Sequence, residues 1–180
     1  MNNSTIKILV VGTGAVGGYY GGRLKQAGAH VVTLCRSDYQ IVKENGIQIN
    51  SASGDFHFIP DEVIQKAEEY THTADYILVT TKVLPEIDII SIIKNAVSES
   101  TSIILLQNGI DIEPPIQTAF PNNEIIDGLA FICVSRPSFG IIDHQDYGII
   151  VIGTYPKGIS EKAKKLQDLF KSVDVDCNTS

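Results

Sequence analysis

A short run near the amino end, Gly12-Thr13-Gly14-Ala15-Val16-Gly17, has a spacing with a chemical meaning. Glycine at the first position permits a tight turn, at the third it lets the backbone approach a pyrophosphate, and at the last it lets a helix pack closely on a strand. A helix opening at this turn offers free N–H groups and the positive end of its dipole to the same anion. The chemistry is dinucleotide binding, provided that a strand precedes the turn and a helix follows. Without those neighbours the run is a glycine-rich turn that binds nothing.

Further residues fall where such a ligand would extend. A site for NAD usually places Asp or Glu at the end of the second strand, to bond the ribose 2'-hydroxyl; here Leu34-Cys35-Arg36-Ser37 places a guanidinium there. The planar fork of Arg36 suits a 2'-phosphate and can stack on adenine, and Ser37 can add a hydroxyl, so the expected cofactor is NADP, as NADPH, rather than NAD. A solvated loop arginine is the alternative, and Asp38 could restore the missing acid. Lys82 follows the apolar run DYILVTT and Asn108-Gly109 follows TSIILLQ, which puts both at carboxyl ends of strands, where open α/β sheets bind ligands. Position alone leaves open an exposed lysine near a helix start and an ordinary turn dipeptide.

The elements that must position these residues are legible in outline. Ile6–Val11 (IKILVV) reads as a strand buried on both faces, Gly14–Ala27 as a helix stopped by Gly28, and His30–Cys35 as a second buried strand. That is β-α-β in about thirty residues, one mononucleotide-binding unit. Residues 46–58 read as a hairpin turning at Ser53-Gly54, 61–70 as a short polar helix, and 75–80 as a strand. A helix is expected from Pro85 to about Val97, a strand over 101–106, and a helix over 113–119 with Pro114 and Pro115 in its first turn. Strand 124–133 follows, then 141–143 and 149–152 as a pair joined near Asp146-Tyr147-Gly148, an amphipathic helix over 160–171, and a last strand over Val173–Val175 with no closing element after it. The alternation defines an α/β domain of Rossmann type, doubly wound, with a mostly parallel sheet and helices on both faces.

Composition narrows the partners. The chain has 180 residues, 43% of them hydrophobic, with a formal net charge of -7, which fits one folded domain whose average surface repels a phosphate backbone. Neither nucleic acid nor membrane is expected, and Met1-Asn2-Asn3-Ser4-Thr5 lacks the basic n-region of a signal peptide, so a cytoplasmic location is the expectation. The 3 cysteines, at 35, 133 and 177, and the 4 histidines, at 30, 57, 72 and 144, show none of the spacings of a zinc site, and no metal is expected.

Taken together, KILVVGTGAVGGYYGGRL, Arg36, the TTK ending at Lys82, the QNG at Asn108 and Gly140-Ile141-Ile142-Asp143-His144 resemble, in order and spacing, the ketopantoate reductases (2-dehydropantoate 2-reductases). The resemblance covers nearly the whole chain. It implies NADPH-dependent reduction of 2-dehydropantoate to pantoate, a step toward coenzyme A. The run Gly12 to Gly17 would bind the pyrophosphate, Arg36 the 2'-phosphate, Lys82 the cofactor side of the cleft, and Asn108 the region where nicotinamide ribose meets the 2-oxo acid substrate. The family's proton donor is a lysine on a helical C-terminal domain, so the resemblance places it beyond Ser180 and makes residues 1–180 the dinucleotide-binding domain alone, without a catalytic residue and inactive by itself. Lys162, Lys164, Lys165 and Lys171 belong to the late helix and are not promoted to that role. A related hydroxyacid dehydrogenase half, and a stand-alone NAD(P)-sensing module that pairs as a homodimer, are the competing readings. A severed reductase half should show an apolar face that wants its lost domain.

Overall fold

The structure, a computed structural model, describes residues 5–180; Met1–Ser4, read above as free of signal-peptide features, lie outside the described residues. The expected opening unit is present: β1 (Lys7–Val11), α1 (Ala15–Gln26) and β2 (His30–Leu34), with β1 and β2 parallel. Ile8 to Val11 are almost completely buried, as a strand covered on both faces requires. The chain continues through α2 (Tyr39–Asn45), the antiparallel hairpin β3 (Ile47–Ser51) and β4 (Phe56–Phe58), β5 (Glu62–Ile64), β6 (Tyr76–Val79), α3 (Ile89–Ile93), β7 (Ser102–Leu105) and α4 (Glu113–Ala119). It closes with β8 (Glu124–Ser138), β9 (Ile141–Thr154), α5 (Glu161–Lys171) and β10 (Cys177–Thr179).

The strands form one sheet in the order β4-β3-β9-β8-β7-β6-β1-β2-β5, parallel except where β4 meets β3 and β8 meets β9, with β10 also on β9. The long β9 holds β8 along one edge; its other edge carries β3 over residues 141–144 and β10 over residues 150–152. One face packs Tyr20 and Leu24 of α1 and Leu166 and Phe170 of α5; the other packs Ile93 of α3 and Ile116 of α4. This is the expected doubly wound α/β architecture with helices on both faces.

Several local expectations are corrected. Residues 61–70 are not a helix: Glu62–Ile64 pairs with β2 as an edge strand, and only a 3₁₀ turn, Ala67–Glu69, follows. The open ladder of β2 and the burial of Ile64 outweigh the polar helical pattern. The helix α2 had no counterpart in the sequence reading, because Val42 is its single buried residue and no period shows. Asp88 caps α3 by accepting the Ser91 N–H, which starts that helix later than Pro85. Asp146-Tyr147-Gly148 is no hairpin turn but lies within β9, where Tyr147 and Gly148 have positive φ and the register to β8 shifts. The last strand is Cys177–Thr179, not Val173–Val175, whose Val175 packs in the core instead.

The first helix lies unusually close to its neighbours. A Cβ on Gly17 would fall 1.9 Å from the Gly12 carbonyl oxygen and 2.2 Å from Thr80 Oγ1, whereas a Cβ on Gly18 would meet side-chain atoms, Ile142 Cδ1 at 2.3 Å and Ile47 Cδ1 at 3.4 Å. Backbone cannot withdraw as a methyl can. Gly17→Ala should therefore cost about 3 kcal/mol or more of stability. Gly18→Ala, repaid in part by helix propensity, should stay within about 1 kcal/mol of the parent, both read from urea unfolding midpoints.

Candidate functional site

In the sheet β1 lies between β2 and β6, so the chain leaves β1 toward one side and returns on the other. The carboxyl ends of the strands open into a crevice at such a switch point. Gly12, directly after β1, has φ +98, a conformation that L side chains rarely adopt, and Thr80 Oγ1 donates to its carbonyl at 2.6 Å. The turn is thus locked to the end of β6. Gly14 is the N-cap of α1; no side chain bonds this end and no acid stands in its first turn. A Cβ on Gly14 would meet nothing within 4 Å, so the backbone here is open to a ligand. Free N–H groups, a positive dipole end and open space make a cradle that fits a pyrophosphate.

Two adjoining cavities continue from it. The first, about 380 Å³, is lined by Gly12 to Val16, Arg36, Lys82 and Arg136 among others. The second, about 530 Å³, is lined by Lys82, Gln107, Asn108 and the inner side of β8, and shares Val16, Thr80, Thr81, Lys82 and Leu84 with the first. The structure therefore brings the glycine turn and Arg36 together in one cavity, sets Asn108 in the next, and places Lys82 on both. Gly17 lies behind the wall, packed on Gly12 and Thr80. Gln107, not singled out from sequence, donates to the Thr81 carbonyl at 2.8 Å and ties the exit of β7 to that of β6.

At the β2 end the sequence left an arginine and an acid in competition. Arg36 is exposed and, among the described residues, makes no ion pair. Asp38 is only 4% exposed, and although it stands at the N-cap of α2 its carboxylate accepts nothing from that helix. Instead its Oδ2 accepts from the Thr13 hydroxyl at 2.8 Å and from Arg136 Nη1 at 3.0 Å. Arg136 was missed because the sequence reading ended its strand at Cys133; the longer β8 carries it back over the crevice.

Two other clusters lie away from the crevice. His30 opens β2 and Glu62 opens β5, and with His72 their ligand-type atoms lie within 4.8 Å of one another, at the amino ends of the strands. His72 Nε2 and Glu62 Oε1 are 2.6 Å apart and satisfy one another directly. Lys162 on α5 donates to the Ser100 carbonyl just before β7, also at the far edge of the sheet, and Lys164 pairs with Glu161. No helix among the described residues is long and apolar enough to cross a membrane.

The fold and crevice define a Rossmann-like nucleotide-binding domain of the oxidoreductase kind. A family model described as Ketopantoate reductase PanE/ApbA matches residues 8–157, and the chain belongs to that family. It is 32% identical over 179 residues to the 2-dehydropantoate 2-reductase of a Nostoc species, covering 97% of this chain and 54% of that protein. Among solved structures it is similar to 2-dehydropantoate 2-reductase from Methylococcus capsulatus, with a TM-score of 0.93, 44% identity, and coverage of 97% of this chain and 57% of the other. The corresponding enzyme from Geobacter metallireducens gives a TM-score of 0.89 at 33% identity, covering 97% and 58%. The chain thus spans about half the length of the relatives it matches.

The cysteines differ sharply in environment. Burial pushes the Cys35 thiol up, against the opposing hydrogen bonds of Thr13 and Thr33, and burial pushes Cys177 up to about 11, whereas Cys133 is exposed. A folded pKa above the unfolded one adds stability that is whole below the unfolded thiol value, about 8.5, and is lost as pH rises through the folded one. Iodoacetamide at pH 8 should therefore label Cys133 alone in the native protein and all 3 cysteines in denaturant; rapid native labelling of Cys35 or Cys177 would contradict these burials.

Proposed function

We propose that residues 1–180 are the cofactor-binding domain of an NADPH-dependent 2-oxo acid reductase whose substrate is 2-dehydropantoate and whose product is pantoate. The observation that carries this reading is the division of charge at the end of β2: Arg36 stands free at the rim while the neighbouring acid, Asp38, is buried and already bonded twice. A ribose 2'-hydroxyl would find no free carboxylate there, whereas a 2'-phosphate would find a guanidinium.

In this reading the amides of Gly12 to Val16 hold the pyrophosphate, Arg36 takes the 2'-phosphate, Lys82 lies along the cofactor, and Asn108 reaches the junction of nicotinamide ribose and substrate. Bound NADPH supplies the hydride for the ketone carbon. The chain's share is to orient that pair in a dry crevice and to hold the cofactor's negative charge. None of its own late-helix lysines, Lys162, Lys164, Lys165 or Lys171, is assigned the proton transfer, since none of them lines either cavity. The proton donor is assigned to the part of the longer relatives that this chain does not span.

Exposed apolar side chains support the same reading. Val83, Leu84 and Leu129 line the second cavity and stand 49%, 40% and 56% exposed. Apolar surface gathered at a ligand crevice is what a substrate-bearing domain would cover.

Calorimetric titration with NADPH and NADH tests the cofactor assignment. The chain should bind NADPH in preference to NADH, and Arg36→Ala should weaken NADPH by about 1.5–3 kcal/mol, the usual worth of a charged hydrogen bond, with little change for NADH. Equal losses for the two cofactors, or no binding of either, would overturn it.

A further inference from the structure

A carboxylate stands beside Arg36, the residue assigned to the cofactor's 2'-phosphate. Asp38 lines the same cavity as Arg36 and Ser37, and a bare negative charge there would act in the wrong direction. It would repel a 2'-phosphate and offer an acceptor to a ribose 2'-hydroxyl, the arrangement of an NAD site. Burial sharpens the conflict, because a carboxylate 4% exposed has little water to screen it.

Arg136 resolves that conflict. It arrives from the end of β8, 98 residues further along the chain, and its Nη1 donates to Asp38 Oδ2, the oxygen that also accepts from Thr13. Its guanidinium carbon lies 5.2 Å from the centre of the Phe139 ring, so the side chain is held on a second side at the turn between β8 and β9. With its side chain 31% exposed, Arg136 still borders the cavity. Thr13 belongs to the glycine turn, so one buried carboxylate joins that turn, the end of β2 and the β8–β9 hairpin.

We infer that Arg136 is a specificity-determining residue: by neutralising Asp38 it turns what would be an NAD-type acid into a silent support, and so sets the preference for NADPH. The inference rests on the cofactor reading given above. It assigns Arg136 a positioning role that acts through Asp38, distinct from the direct phosphate contact assigned to Arg36. Arginine suits this place because its charge persists at any working pH and its fork can hold a carboxylate while its other face meets the Phe139 ring.

The test is titration of NADPH and NADH against the full chain and four variants: Arg136→Ala, Arg136→Gln, Asp38→Asn, and Arg136→Ala combined with Asp38→Asn. Arg136→Gln retains much of the side chain's length without its charge, which separates charge from lost packing on Phe139. Thermal unfolding of each variant reports folding. Arg136→Ala and Arg136→Gln should each weaken NADPH about tenfold or more while NADH changes less than about twofold or tightens. The double variant should regain most of the NADPH affinity, because no bare charge remains to repel the phosphate. Equal weakening of both cofactors by the Arg136 variants would overturn the inference. So would a double variant as weak as Arg136→Ala, which would make Arg136 a phosphate ligand in its own right. Failure of the cofactor reading looks different: the parent chain would bind neither cofactor or prefer NADH before any substitution is made.

Discussion

The distance between the first turn of α1 and the backbone at the end of β1 governs the whole site. Only a residue without a side chain lets the helix come so near, since a Cβ on Gly17 would overlap the Gly12 carbonyl oxygen at 1.9 Å. That approach sets the free N–H groups of the helix at the mouth of the crevice and brings Thr80 onto the Gly12 carbonyl. The glycine turn, the exit of β6 and the helix end are thus one rigid unit, and the two cavities open from it. Packing here is a condition of the chemistry, because the dipole and amides are useful only if they point at a fixed place.

Charge is arranged on the same frame. The chain carries a net charge of -7, yet Arg36, Arg136 and Lys82 all border one cavity. A local cationic crevice on an acidic surface draws a small phosphorylated ligand while the rest of the surface discourages polyanions. The buried acid in that crevice, Asp38, is bonded by Thr13 and Arg136, so its charge is spent internally. Local folding and ligand choice meet at this contact.

Much of this was legible in the sequence, and what was not has identifiable causes. The strands of the parallel sheet announce themselves because burial on both faces demands unbroken apolar runs, as in KILVV and YILV. The positions of the glycine turn, Arg36, Lys82 and Asn108 at the carboxyl ends of strands, where they line the two cavities, could be read because strand ends are local features. Edge elements were harder. Glu62–Ile64 looks polar and helical, and becomes a strand only because β2 offers an open edge. The β8–β9 hairpin reads as broken because bulges interrupt its alternation and Tyr147-Gly148 mimics a turn. Arg136 was hidden by the same error, since its partner lies 98 residues away and no local pattern marks the pair. The clustering of His30, Glu62 and His72 is likewise a product of parallel strand register, invisible to spacing along the chain.

The central claim is that a phosphorylated dinucleotide lies across the carboxyl ends of β1, β2 and β6, and amide NMR during titration with NADPH tests it most directly. The expected result is perturbation centred on the amides of Gly12 to Val16, Arg36 to Asp38, and Thr81 and Lys82, with the His30 and Glu62 edge unmoved. Perturbation confined to that opposite edge, or none at saturating NADPH, would contradict the account.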